Sequence, residues 1–164
     1  MCKRKSRMYV RWIPAIIIMM IIFYFSHAPA TVSSQTSEAV TSSVLDYFQR
    51  WFGVSPFTNA LAVGMESVIR KLAHVIEYAM LAMTFYYAYY SEGRSRKRMI
   101  GVTFICSVAY AISDEVHQLF IPGRAGQVID VLIDTCGVVL GIVFAMVLRK
   151  GYEWYGKKRE ENCC

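Results

Sequence analysis

Charge is scarce in this chain. Asp, Glu, Lys and Arg make up 18% of its 164 residues while hydrophobic residues reach 55%, where a soluble domain carries roughly 25% charged residues. That balance excludes an ordinary water-soluble domain and points to several membrane spans. Acids are the scarcer sign, 12 against 18 basic residues for a net charge of +6. The basic residues crowd beside apolar runs, where they explain orientation and contact with anionic lipid, so nucleic acid is not an expected partner. No internal repeat or low-complexity segment occurs, and there is no His-Glu-x-x-His run, so no sharp metal signature. Of the five cysteines, Cys106 and Cys136 fall inside apolar runs, and Cys2, Cys163 and Cys164 fall in the basic terminal segments. No disulfide partner is expected.

What is present is an all-α pattern, a polytopic membrane helical bundle of about four transmembrane helices plus one or two outer amphipathic helices. Segments 72–90, 100–120 and 128–148 each approach the ~20 residues needed to cross a bilayer. A shorter run, "WIPAIIIMMIIFYF", spans as 12–27 if its flanks lie in the interfaces and Arg11 snorkels. The alternative for that run is a cleaved signal peptide ending at Ala28-Pro29-Ala30. All 18 Lys and Arg residues except Arg50, Arg70, Lys71 and Arg124 lie in 1–11, in the "SEGRSRKRM" turn, or in 149–164. With positive residues kept inside, both termini and that turn are cytoplasmic, and 28–70 and 113–127 face outward. The expected location is the bacterial cytoplasmic membrane, with residues 1–164 forming one domain.

The long outer segment carries apolar residues at helical spacing. Val40, Val44, Phe48 and Trp51 or Phe52 oppose Ser42, Asp46 and Gln49, which predicts an amphipathic helix on the outer leaflet. "SPF" should break it, and Thr58 can cap a second helix running into the span that follows.

At 100° per residue, each of the last three spans has one polar face near its outer end. The first carries Arg70, His74 and Glu77 with Lys71 and Tyr78 at the border. The second carries Ser107, Tyr110, Asp114, His117 and Gln118 with Glu115 at its edge. The third carries Asp130 and Asp134 above Gly137 and Gly141, a Gly-x-x-x-Gly contact that admits a close neighbour. A charge facing lipid costs at least ~2.5 kcal/mol, so these faces should meet one another or line a watery cavity. Each has a plainer reading too. His74 and Glu77 could be a hydrogen bond between helix turns, the aspartates could fill a helix's first turn, Arg124 could be only an ion-pair partner for Asp114 or Asp130, and Pro122-Gly123 a tight turn. The coincidence of three faces at one depth is what favours a site.

"RKLAHVIEYAML" and "YAISDEVHQLFIPGRAGQVIDVLIDTCGVVLG" resemble the VanZ-like family of bacterial membrane proteins, named for an accessory protein that lowers susceptibility to the glycopeptide teicoplanin. "FYFSHAP" resembles the family's first helix more weakly, with His27 where a second serine is common. The resemblance implies an envelope-associated membrane protein whose recurrent polar positions are Lys71, His74, Glu77, Tyr78, Asp114, Glu115, His117, Gln118, Arg124, Asp130 and Asp134. It supplies no settled mechanism.

Three functions fit the residues. A binding protein would hold an envelope lipid, a lipid-linked cell-wall precursor or a lipoglycopeptide antibiotic in an outer cavity, with Arg70, Lys71 and Arg124 on its phosphate or carboxylate and Tyr78, Gln118, Asp130 and Asp134 lining it. An intramembrane enzyme would draw on His74, Glu77, Asp114, Glu115 and His117 as acid, base or, for His74, Glu115 and His117, ligands to a divalent metal. A small ion-coupled carrier would use the titratable groups as a proton relay, although no polar path to the cytoplasmic side is visible.

Overall fold

The computed structural model describes residues 9–52, 59–90 and 95–161. Among them lie five helices and no strand: α1 (Ile13–Ser26), α2 (Ala30–Phe52), α3 (Asn59–Tyr90), α4 (Arg96–Gln118) and α5 (Val128–Glu161). The expected break at "SPF", the Thr58 cap, and the basic residues and cysteines of 1–8 and 162–164 lie outside the described residues.

Beside an apolar core of Ile22, Leu81, Phe85 and Val138, the bundle buries a cluster of polar side chains. α4 turns Thr103, Ser107, Asp114, Glu115 and Gln118 inward and Ile105, Ile112, Val116 and Leu119 outward. α5 likewise buries Asp134 and exposes Leu132, Leu140, Val143 and Val147. An apolar exterior over a buried polar cluster is what a hydrocarbon solvent selects. α4 and α5 are long and apolar enough to cross a membrane, and the bent pair α1–α2 adds a third span if counted as one. The expected count of four therefore stands at two to three by length and hydropathy. α1 has only 14 residues, and the tyrosines, His74 and Glu77 dilute the apolar character of α3. This is a membrane protein.

α1 starts over Pro14, whose missing N–H costs nothing in a first turn. It ends where Pro29 disfavours helical backbone at Ala28, and the chain bends by 104° into α2. α2 begins at Ala30, earlier than the amphipathic pattern suggested, and its start is tied to the neighbouring turn by the Ala30 N–H on the Pro122 carbonyl at 3.4 Å. That turn, Ile121-Pro122-Gly123-Arg124, closes with the Arg124 N–H on the Ile121 carbonyl at 3.1 Å. Gly123 takes φ +76°, the left-handed backbone the third residue of a type II turn requires.

α3 runs unbroken from the outer segment through the expected span. Its 32 residues extend about 48 Å, longer than the ~30 Å hydrocarbon core of a bilayer. It packs on α5 backbone to backbone: a methyl added at Gly137 would strike Val75, and one at Gly141 would strike Ala79. α5 also continues past the expected boundary at 148, as an exposed helix to Glu161. At that boundary the Arg149 guanidinium lies 4.5 Å over the Tyr90 ring and holds Glu153 at 2.7 Å.

Candidate functional site

Beside the α1–α2 bend a cleft of about 550 Å³ opens between α1, α2 and α3. The end of α1 contributes Tyr24, Phe25 and His27, and α2 contributes Val32, Ser33 and Val40. α3 contributes Ile69, Arg70, His74 and Glu77, and Arg124 reaches in from the turn before α5. Cationic and polar side chains of α3 thus face an α2 side that mixes Val32 and Val40 with Ser33, Thr36 and Ser37.

Of the carboxylates near this cleft, Glu77 lines it directly, whereas Asp114, Glu115 and Asp134 are turned to other partners. Asp114, buried, accepts a hydrogen bond from Ser26 Oγ at 2.7 Å and another from Gln118 Nε2 at 3.2 Å. Glu115 accepts the Gln127 backbone N–H at 2.9 Å, satisfying a donor at the start of α5. Asp134 is fully buried under His74, with Oδ1 3.5 Å from Nδ1. That spacing is outside good hydrogen-bond geometry, and neither atom has another partner.

The two guanidiniums share the cleft with Glu77. Arg124 donates to the Phe25 carbonyl at 3.2 Å, and the ion pair with Asp114 or Asp130 that its plainer reading allowed does not form among the described residues. Arg70 donates to Ser34 Oγ at 3.3 Å, and its Nε is buried with no acceptor. Neither makes an ion pair among the described residues. Burial pulls the Arg124 pKa down from its ordinary value, with Asp114 opposing. A half-desolvated cation with donors to spare is one that an anion would stabilise.

The remaining candidates divide clearly. His117 faces His27, Nε2 to Nδ1 at 3.2 Å, with Phe23 stacked on it at 4.8 Å between centroids. Tyr78 is fully buried against Tyr110, a core position away from the cleft. Lys71 is exposed and Asp130 half-buried, and neither borders the cleft. His74, Glu115 and His117 do not come together as a donor set. Among the described residues no group of three or more His, Cys, Asp or Glu is placed to hold a metal. Ser26, His27 and Ser34 were missed as site residues. For Ser26 and His27 the signal was a Ser-His pair closing an apolar run; Ser34 had none.

A family model for VanZ/LLP1 matches residues 11–149. The chain belongs to the VanZ/LLP1 family. Comparison with curated proteins and with solved structures finds no match. The VanZ/LLP1 region contains the whole polar cluster and both sides of the cleft, from Tyr24 to Arg124. It ends at Arg149, where α5 leaves its contact with Tyr90.

Proposed function

We propose that this VanZ/LLP1 protein is a non-enzymatic binding protein of the bacterial cell envelope that modulates susceptibility to glycopeptide and lipoglycopeptide antibiotics of the teicoplanin type. Its cleft holds an envelope lipid, a lipid-linked precursor or the antibiotic itself. α1, α3, α4 and α5 cross the cytoplasmic membrane with both termini inside, α2 lies on the outer leaflet, and the cleft opens outward. The observation that carries this reading is the pair Arg70 and Arg124, two guanidiniums facing one cleft, neither of them in an ion pair among the described residues.

The test is an Arg124→Ala variant in cells challenged with teicoplanin, read beside native mass spectrometry of protein released gently from its own membrane. Loss of both protection and co-purifying ligand, with insertion intact, is expected. Unchanged protection would sink the reading.

A second reading, an intramembrane acid/base enzyme, draws on the His74–Asp134 contact. A buried carboxylate beside one imidazole nitrogen is the arrangement that fixes a histidine's tautomer and orientation. Turnover of a lipid-phosphate substrate, abolished by Asp134→Asn with ligand retention preserved, would favour it over binding alone.

A further inference from the structure

The cleft does not end at its polar wall. Ile69 also lines a second trough of about 500 Å³ between α2 and α3, whose other walls are Val44, Gly64, Met65, Val68 and Leu72. On the α2 side, Val40 of the cleft and Val44 of the trough sit four residues apart, successive turns of one helical stripe. Thus the cleft that holds the two arginines adjoins, through Ile69, an open groove with entirely apolar walls. Val68 and Leu72 are more than half exposed along it, at 56% and 53%, and a side chain added at Gly64 would meet nothing within 4 Å.

The geometry points to a specific ligand class: a lipid with a phosphate or pyrophosphate head and a single hydrocarbon chain, its head on Arg70 and Arg124 and its chain along the α2–α3 trough. The inference rests on the binding reading above and narrows it. Guanidinium forks match the oxygens of a tetrahedral phosphate, and two of them suit a head of more than one negative charge. A trough one helix pair wide accommodates one chain beside the head, and each methylene laid against it leaves water or the interface. α2 lies across the 104° bend from α1, so it forms a side wall along which the chain can slide in from the outer leaflet.

The probes are a polyprenyl monophosphate, the matching uncharged polyprenol and a diacyl phosphatidic acid. Each is offered at equal concentration to the full-length protein in neutral detergent, with retention read by native mass spectrometry. The monophosphate should be retained about tenfold or more above the other two. A Val44→Gln/Val68→Gln double variant, polar at one half-buried and one exposed position of the groove, should lose roughly tenfold of that retention. Gly64→Leu, whose Cβ would meet nothing within 4 Å among the described residues, should reduce it as well and covers the case in which the double variant does not fold. Equal retention of polyprenol would show that the head is not recognised, and equal retention of phosphatidic acid that one chain is not selected; either overturns the proposal. If the trough variants bind normally while Arg124→Ala does not, the trough falls and the cleft reading stands. If Arg124→Ala also binds normally, both fall.

Discussion

Ser26 donates to Asp114 at 2.7 Å across 88 positions of chain, both side chains buried. This bond fastens the end of α1 to α4 just before the bend that makes one wall of the cleft. Removing the hydroxyl strips a buried carboxylate of its shortest hydrogen bond. Ser26→Ala should cost about 1–3 kcal/mol, seen as a lower melting temperature in detergent. Ser26→Thr, which keeps the hydroxyl, should recover part of it. An unchanged melting temperature for the alanine variant would mean that Gln118 alone suffices for Asp114.

Arginine and lysine should not be interchangeable at 124. Arg124 holds the Phe25 carbonyl with one guanidinium nitrogen and has others left for a ligand, whereas an ammonium is a single point of charge. Arg124→Lys should keep insertion and stability yet weaken ligand retention by roughly tenfold. Native mass spectrometry across a lipid titration would detect the shift, and full retention would show that charge alone is read.

The packing of α3 on α5 is intolerant of side chains. At Gly141 an added methyl meets the Ala79 backbone, which cannot move as a flexible side chain can. Gly141→Leu should destabilise by about 3 kcal/mol or more and give aggregated protein on size-exclusion chromatography. Gly156→Leu is the control, since nothing lies within 4 Å of a Cβ there. Equal behaviour of the two variants would remove the close-contact account.

Topology can be read directly by impermeant thiol labelling of intact cells in a background with the native cysteines replaced. Ser42→Cys, exposed on α2, should react, and Lys157→Cys on the far extension of α5 should not until the cells are opened. The reverse pattern would invert the proposed orientation and turn the cleft to the cytoplasm.

Much of the fold was legible because the bilayer imposes simple periodicity. The polar faces of α4 and α5 follow from helical spacing, and the Asp134-Gly137-Gly141 line is buried as one stripe. The Pro122-Gly123 turn was equally plain. The pairing of charges was not. Counting acids against bases near Arg124 suggested ion pairs, but Asp114 is held by a serine from the far end of the sequence and Glu115 by a backbone amide. Neutral partners of this kind leave no trace in charge balance. The cleft itself was hidden because it depends on how sharply α1 turns into α2, an angle set by Pro29 and by the anchoring of Ala30 on Pro122.

The glycines of α5 have an effect beyond close packing. Gly137 rests on Val75, the neighbour of His74, and lies one turn from Asp134. The distance between the two helix axes at that point therefore sets the 3.5 Å between imidazole and carboxylate. Gly137 works as a shim of zero thickness: the smallest side chain inserted there would pry the helices apart and lengthen a polar contact that it never touches.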